Sequence, residues 1–455
     1  MTGAVSEARS WRALAALCVG LFMTLLDQSL VAVALPHIRE DFDASLNQAV
    51  WVSADYLLTF AVPLLVAGRL GDRFGQRRVY LTGMVLFTLT AFACAFAPTI
   101  EWLIALRAVQ GLGGALINPQ PLSIITRIFP RGRRGTAMGV WASVAGSTGL
   151  FGPVIGGLLV GGVGWRAVFL FYVPLGLVSL FMVAWWVPRL PQVAARIDLA
   201  SALLSLLAVL GVVVALQQGP EFGWAPWIFG VLLVGLAAFA AFVWLQRRTG
   251  ESALVPPALF AQRNFRLGII AVSTLGFAVY SVNLPIMFYL QQSAGLSAQM
   301  AGLILVPTGA LSVVLSPIAG RLTDRLAPGL ISRVGFLVLI AAMALFGAFM
   351  LIDAPVSAFL LPVALLGAAN SLAWSPNATI TMRDLPVHLT GAGSGVYNTA
   401  RQVGAVLGAA AIGAVMQIGE DAGSFGAAVG TAMFVPTAVL VIGLVAVSRF
   451  RSTGA

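Results

Sequence analysis

The sequence predicts an all-α polytopic membrane protein, because too few of its residues are charged for a water-soluble fold. Of the 455 residues, 59% are hydrophobic and 9% are charged, whereas a soluble domain usually carries about a quarter charged residues. Apolar runs continue for about twenty residues, the length that a helix needs to cross the hydrocarbon core. Strands of a membrane barrel would instead alternate apolar and polar residues. Since lipid admits only helices and closed barrels, we expect membrane-spanning helices.

Fourteen apolar segments are long enough to be membrane spans. Six of them precede residue 190, two lie in the middle of the chain and six follow residue 262. The predicted spans are 11–35, 48–68, 79–97, 101–121, 136–160, 166–187, 197–217, 226–246, 266–291, 298–320, 331–351, 356–376, 389–417 and 428–449. The first segment is too long for the core of a signal peptide and contains Asp27, so we interpret it as a permanent span.

Arginine placement predicts how these spans are oriented. All 26 basic residues are arginine, and the net charge is +10. If the N-terminus is cytoplasmic, most arginines fall in gaps on that side, and the charged residues of the opposite gaps are mostly acids, with Arg39 and Arg166 as exceptions. Arginine-rich loops are typical of the cytoplasmic side. We therefore expect a multi-pass protein of the cell membrane with both termini cytoplasmic, and we assign the basic charge to topology and not to nucleic-acid binding.

A short internal repeat predicts two related halves. Residues 68–75 read Gly-Arg-Leu-Gly-Asp-Arg-Phe-Gly, and residues 320–326 read Gly-Arg-Leu-Thr-Asp-Arg-Leu. Each cassette follows the second span of a six-span set. We predict an N-terminal six-helix bundle over 1–190, two inserted transmembrane helices over 191–262 and a C-terminal six-helix bundle over 263–455. Folds built from such repeats place their substrate near mid-membrane between the halves.

Three charged residues lie inside predicted spans at similar depth. Asp27, Asp55 and Arg107 each fall about 10 Å below the predicted outer surface, at 1.5 Å per helical residue. A charge inside the membrane is costly and needs a partner or a function. One interpretation is a structural ion pair. The other is a proton-coupling site formed by Asp27 and Arg107, because burial raises the pKa of a carboxyl group and a nearby arginine lowers it. Which acid carries the proton is left open.

Asp55 has a second predicted role, in substrate binding. Lipophilic cations need a negative charge inside an apolar, aromatic cavity. The residues that we expect to line such a cavity with Asp55 are Trp51, Tyr56, Tyr280, Asn283, Tyr289, Trp374 and Asn377. Arg401 is the one charge in the later spans that looks buried, and the alternative is that it lies near the cytoplasmic end of its helix and extends to the surface.

Five segments carry a resemblance to a known family, and they occur in the family's order. They read GRLGDRFGQRR over 68–78, LRAVQGLGGA over 106–115, GLFGPVIGG over 149–157, LDQSLVAVALP over 26–36, and WRAVF over 165–169 followed by Val173 and Pro174. Together they resemble the major facilitator superfamily over the whole chain. More narrowly, they look like its fourteen-helix drug:proton antiporter family.

The resemblance implies a fold and roles for several of these residues. It implies two six-helix bundles plus two extra linker helices, an arginine at position 107 tied to proton coupling, and an antiporter signature at 149–157 associated with export. Residues 68–78 look like the family's cytoplasmic loop signature, which implies a conformational role in closing the cytoplasmic side. The residues to which we assign conformational gating are Gly68, Asp72, Arg73, Gly75, Gly149, Gly152, Pro153 and Gly156.

The function that we predict is proton-coupled antiport. The chain would export drugs or other lipophilic cationic small molecules by alternating access; the alternative is a transporter for one metabolite, either export of a self-made antibiotic or nutrient uptake. The chain contains no lysine, which excludes a nucleotide-binding loop of the Gly-Lys type. We expect no enzymatic activity, no metal site and no cofactor, with the proton gradient as energy source. The expected partners are protons, a small-molecule substrate and the lipid bilayer, and the expected state is a monomer.

Overall fold

The computed structural model describes residues 7–61, 63–130, 133–190, 198–250, 253–325, 328–386, 389–421 and 425–451, and this part of the chain is helical throughout. The helices are α1 Glu7–Asp41, α2 Leu46–Ala61, α3 Leu64–Phe74, α4 Gln76–Ala95, α5 Ile100–Ile117, α6 Gln120–Ile128, α7 Arg134–Gly162, α8 Arg166–Trp186, α9 Leu199–Glu221, α10 Pro226–Thr249, α11 Arg263–Ser281, α12 Asn283–Phe288, α13 Ala298–Ile304, α14 Val306–Arg325, α15 Pro328–Leu351, α16 Leu360–Met382, α17 Thr390–Asp421, α18 Phe425–Ala432 and α19 Phe434–Ser448.

Each of the fourteen predicted segments falls in helices. Within the described residues, twelve of these segments contain a helix that is long and apolar enough to cross a membrane. The two other predicted spans are 48–68 and 136–160. The first is divided, because α2 ends at Ala61 and α3 begins at Leu64, and Pro63 lacks the N–H that would continue the helix. The second lies in α7, where the apolar helix within the described residues is Ser147–Gly162, and the first part of the predicted span falls outside that range. The multi-pass helical fold is thus confirmed, and the number fourteen stays a prediction.

The helices pack into two sets that meet along the middle of the molecule. In the first set α1 packs against α7 and α8, and α5 packs against α2 and α4. In the second, α11 packs against α17 and α19, and α16 packs against α14 and α15. The inserted helices α9 and α10 pack on each other, and α9 also contacts α2 and α17. Asn47 of α2 donates a hydrogen bond of 2.6 Å to Gln218 of α9.

The two sets touch closely at the end of the molecule where α1 terminates, which we call the outer end. A Cβ atom added to Gly157 of α7 would lie 2.7 Å from the carbonyl oxygen of Ala298 at the start of α13. Gln291 donates a hydrogen bond of 3.1 Å from its side-chain nitrogen to the carbonyl oxygen of Val33 in α1. A glycine at the first contact is therefore what lets the backbones of the two sets meet.

Another close backbone contact fixes α17 against α11. A Cβ atom added to Gly276 would lie 2.1 Å from the carbonyl oxygen of Arg401. Gly404 and Gly408, further along α17, meet the backbone of α11 in the same way. Small residues permit this approach between membrane helices. The position of Arg401 is consequently set by backbone packing and not by its own side chain.

Replacing Gly276 by alanine is expected to lower the thermal unfolding midpoint of the detergent-solubilised protein. The added methyl group has no room, and overpacking of this kind costs about 1–3 kcal/mol. The matched control is Gly230→Ala in α10, where nothing lies within 4 Å of the added Cβ atom. Alanine favours a helix interior over glycine by about 1 kcal/mol, so the control should be neutral or stabilising. A Gly276→Ala protein that unfolds no earlier than the control would contradict the close packing of α11 on α17.

Candidate functional site

The sequence-predicted charges Asp27 and Arg107 form an ion pair in the interior of the first helix set. The Arg107 guanidinium donates from Nη1 to Asp27 Oδ1 at 2.9 Å and from Nη2 to Asp27 Oδ2 at 2.8 Å. Arg107 is 1% exposed and Asp27 is 0% exposed. Such two-pronged arginine–carboxylate bonds are the strong and geometrically specific kind. The pair joins α5 to α1.

The rest of the guanidinium is also bound. Its Nε donates to the carbonyl oxygen of Val52 in α2 at 3.0 Å, and Nη1 donates a second bond to Gln110 Oε1 at 2.8 Å. The ring of Tyr56 lies 4.2 Å from the guanidinium carbon and the ring of Phe169 lies 5.8 Å away. Both distances suit cation–π attraction, which is strongest where water is absent. The positive charge is therefore enclosed by hydrogen bonds in its plane and by aromatic rings on its faces.

A glycine on α5 sets the distance between the arginine and α2. A Cβ atom added to Gly111 would lie 2.4 Å from the carbonyl oxygen of Tyr56. The two helices thus touch backbone to backbone one turn from Arg107. This contact brings the Arg107 Nε within reach of the Val52 carbonyl oxygen, which has two lone pairs and can accept from a side chain as well as from the helix backbone.

Asp55 does not join this pair. It lies half-buried on α2, and its carboxylate has no hydrogen bond or ion pair among the described residues. Arg107 still acts on it electrostatically. The three charges predicted at one depth are hence near one another. The carboxylate that hydrogen-bonds to the Arg107 guanidinium is that of Asp27 on α1 and not that of Asp55 on α2.

A cavity of about 350 Å³ lies between the two helix sets. Helices α1 and α7 line it from the first set, and α11, α12, α14, α16 and α17 line it from the second. The lining residues are Leu25, Gln28, Ser29, Ala145, Thr148, Gly149, Pro153, Val279, Tyr280, Asn283, Leu305, Thr308, Ser312, Ser316, Leu366, Asn370, Ser371, Trp374, Ser375 and Arg401. Its volume and its mixture of apolar and polar groups are typical of small-molecule sites.

Three of the predicted substrate-binding residues line this cavity. Tyr280, Asn283 and Trp374 do so, and the rings of Tyr280 and Trp374 lie 6.1 Å apart. Asp55 is not among the residues that line this cavity, and none of the described lining residues is acidic. Its role in substrate binding stays a prediction.

The remaining predicted substrate-binding residues have other surroundings. Trp51 is half-buried on α2 outside the cavity, and Tyr56 lies against Arg107. Tyr289 donates a hydrogen bond of 3.2 Å to Asp353 and packs against Phe359 near the outer end. Asn377 is buried and donates a hydrogen bond of 3.0 Å to Tyr397 Oη. In this arrangement the four side chains do not contact the cavity.

The export-type signature in α7 lies between α1 and the second helix set. Gly149 and Pro153 line the cavity. A Cβ atom added to Gly152 would lie 2.5 Å from Ser29 Cβ, and one added to Gly156 would lie 3.1 Å from the side chain of Leu30. These two glycines therefore let α7 pack closely on α1, just beyond Asp27. The signature connects the ion-pair helix to the interface between the sets.

The loop signature is largely helical. The sequence places Gly68–Gly75 in a gap between spans, but α3 continues through it to Phe74, and the turn comes at Gly75, whose φ is 93°. Glycine adopts this conformation without strain. Gly68 lies near Pro119, and Arg73 is exposed with its guanidinium 5.3 Å from the Phe74 ring. The side chain of Asp72 lies outside the described part of the structure.

Two residues of the site were missed or left open by the sequence. Gln110 binds Arg107 directly, and its position three residues further along α5 places it on the same helix face. Arg401 was left between two interpretations, and it lines the cavity. The close glycine contacts of α11 with α17 decide this, and a single sequence does not reveal them.

Comparison with known proteins agrees with this architecture. An uncharacterized MFS-type transporter of Mycobacterium tuberculosis is 41% identical over 406 residues, which cover 89% of this chain and 70% of that protein. The multidrug resistance protein Stp of the same species is 34% identical over 88% of this chain and 74% of its own length. The tetracenomycin C resistance and export protein of Streptomyces glaucescens is 34% identical over 90% of this chain and 76% of its own length.

The fold also matches solved structures and a family model. The crystal structure of a D-xylose-proton symporter superimposes with a TM-score of 0.71 at 14% identity, covering 97% of this chain and 98% of that one; at this identity the match concerns the fold alone. The model of the Major Facilitator Superfamily matches residues 17–409, a range that includes the ion pair and most of the cavity. The chain is therefore a multi-pass membrane transporter that belongs to the Major Facilitator Superfamily, with relatives named for multidrug and antibiotic resistance.

Proposed function

We propose that this transporter is a proton-coupled antiporter that exports drug-like small molecules by alternating access. The observation that carries the proposal is the fully buried, two-pronged bond between Arg107 and Asp27. Support also comes from relatives named for multidrug resistance and for antibiotic export. Fourteen membrane spans with both termini cytoplasmic remain part of the same proposal.

The ion pair supplies a way to bind and release a proton. An arginine does not lose its proton in a protein, so it needs a counter-charge at this depth. While Arg107 holds Asp27, the carboxylate stays ionised. When the helices move and the two side chains separate, an isolated carboxylate in apolar surroundings takes up a proton. One proton that crosses a potential of 100 mV releases about 2.3 kcal/mol, which is available to drive export.

Helix α1 links this proton site to the cavity. Asp27 faces Arg107, whereas the next two residues, Gln28 and Ser29, line the cavity. Ser29 is also the residue against which Gly152 of α7 packs. A rotation or shift of α1 that releases Asp27 from Arg107 therefore also changes the cavity wall. This adjacency gives a physical route by which substrate and proton occupancy become exclusive, as antiport requires.

Replacing Asp27 by asparagine is expected to abolish transport driven by a pH gradient while substrate exchange without a gradient continues. Asparagine keeps the shape of the carboxylate but cannot titrate. The measurement uses proteoliposomes with an imposed pH gradient and a panel of lipophilic compounds that differ in charge. The matched control is Glu101→Gln, the same chemical change in an exposed acid at the start of α5, and it should transport like the unmodified protein. Full proton-driven efflux by Asp27→Asn would refute Asp27 as the proton site.

Replacing Arg107 by lysine is expected to leave a folded protein whose transport is poorly coupled. Lysine keeps the positive charge but lacks the planar fork that binds both oxygens of Asp27, and it cannot bridge to Val52 and Gln110 at the same time. The number of protons released per substrate bound, recorded with a pH indicator in weakly buffered detergent solution, should fall. If Arg107→Ala in correctly folded protein retains normal coupling, Arg107 only holds α5 to α1, and the proposal that it controls proton binding by Asp27 is wrong.

A second candidate is export of one particular metabolite, such as an antibiotic made by the producing cell. The name of the Streptomyces relative, a tetracenomycin C resistance and export protein, favours it. The compound panel separates the two functions, because a multidrug exporter accepts several scaffolds and a dedicated exporter accepts one. Uptake, the other alternative, would reverse the direction in which the same pH gradient drives the compound.

A further inference from the structure

We infer that the cavity between the helix sets binds organic anions, specifically planar acidic aromatic compounds, with Arg401 as their charge partner. The inference rests on the proposed transport function, because it concerns the substrate class of that cavity. It replaces the expectation of cationic substrates, which depended on Asp55 lining the same space.

The first argument is the charge of the cavity wall. Arg401 is the charged residue among the described residues that line it, and the others are apolar, hydroxylic or amide side chains. No described acid forms an ion pair with Arg401, and its Nε is buried without a hydrogen-bond partner. A cationic substrate would meet an unneutralised positive charge here, whereas a carboxylate would satisfy it with two parallel hydrogen bonds.

The contrast with Arg107 strengthens this argument. Arg107 is enclosed on all sides, with Asp27, Val52 and Gln110 as hydrogen-bond partners. Both arginines lie inside spans, where an unpaired charge is costly. Among the described residues, Arg107 has an acidic partner and Arg401 has none. The simplest way for Arg401 to be compensated is a negative charge that comes with the substrate.

The packing of α17 and two aromatic rings hold Arg401 at the cavity. Its backbone carbonyl lies against Gly276 of α11, in the glycine contact that fixes α17. Its guanidinium carbon lies 5.9 Å from the ring of Tyr280 and 6.0 Å from the ring of Trp374. These two rings stand beside the charge and offer apolar surface next to it, which suits an acid group carried on an aromatic ring system.

The hydroxyl and amide groups that α14 and α16 contribute to the cavity favour substrates that also carry hydroxyl groups. Ser312 donates to the carbonyl oxygen of Gly367 at 3.0 Å, Ser371 to that of Ser312 at 3.1 Å, and Thr308 to that of Val363 at 3.0 Å. Because these hydroxyl groups already donate their protons to backbone carbonyl oxygens, they present oxygen lone pairs to the cavity. The Oδ1 atom of Asn370 is buried without a partner and is a further acceptor. Acidic phenols and hydroxylated aromatic acids would pair their negative charge with Arg401 and donate their hydroxyl protons to these acceptor oxygens.

Two dyes with one ring system test the inference. Fluorescein is anionic at neutral pH, and tetramethylrhodamine methyl ester is a cation built on the same xanthene core. Fluorescence anisotropy measures saturable binding of each dye to the purified protein in detergent, without a proton gradient. We expect the unmodified protein to bind fluorescein more tightly than the ester. We expect Arg401→Gln to weaken fluorescein binding about tenfold or more, the loss that accompanies removal of a charged hydrogen-bond donor, and to leave binding of the ester within about twofold.

Three variants make the test specific. Arg401→Lys keeps the charge and should retain part of the preference for fluorescein. Arg248→Gln removes an exposed arginine that also stacks on a tryptophan, Trp244, outside the cavity, and it should not alter either affinity. Asp55→Asn tests the rival hypothesis that Asp55 selects cations, and it should leave the ratio of the two affinities unchanged.

Several results would overturn the inference. They are tighter binding of the ester than of fluorescein by the unmodified protein, absence of saturable fluorescein binding, an equal loss of both dyes in Arg401→Gln, or a change of preference in Asp55→Asn and not in Arg401→Gln. The first two need no substitution, so a variant that fails to fold does not protect the inference. Because binding is measured at uniform pH, failure of proton coupling leaves this result intact, and the two proposals are tested separately.

Discussion

The positive charge of Arg107 is the constraint around which the first helix set is organised. A guanidinium buried in a membrane needs hydrogen bonds in every direction of its plane, and three helices supply them: Asp27 from α1, the Val52 carbonyl from α2 and Gln110 from α5 itself. Loss of one partner of such a buried pair costs about 3–5 kcal/mol in soluble proteins. The relative positions of α1, α2 and α5 are thus coupled through a single side chain. A movement of one of these helices changes the hydrogen bonds that Arg107 makes to the others.

Function follows from where this constraint lies relative to the cavity. Asp27 and the cavity-lining Gln28 and Ser29 are neighbours on α1, so the ion pair and the cavity share one helix. The glycines of α7 pack directly on this part of α1. The second set contributes a fixed charge, Arg401, on a helix held by backbone contacts. One side of the cavity therefore adjoins the buried ion pair, and the other adjoins a helix that backbone contacts hold in place.

Depth was predictable from the sequence, but the rotation of each helix about its axis was not. Position within a span placed Asp27, Asp55 and Arg107 at one level, and the structure brings Asp27 and Arg107 together. Which acid binds depends on helix rotation, which is set by contacts such as Gly111 against the Tyr56 carbonyl. The same ambiguity explains why Asp55, which was expected beside the aromatic residues, is not among the residues that line this cavity. The helical character of α3 was missed because its glycines resemble a loop, whereas only Gly75 makes the turn.

The inserted helices have a consequence for compounds dissolved in the lipid. The two helix sets meet along two seams, α2 with α17 and α7 with α13 and α14, and α9 packs across the first of them with Asn47 bound to Gln218. A molecule diffusing sideways within the bilayer meets α9 and α10 before it reaches the first seam. At the second seam, Gly149 and Pro153 of α7 are part of the cavity wall itself. The two flanks of the protein therefore differ toward the surrounding lipid, since α9 covers the first seam and the second contains residues of the cavity wall.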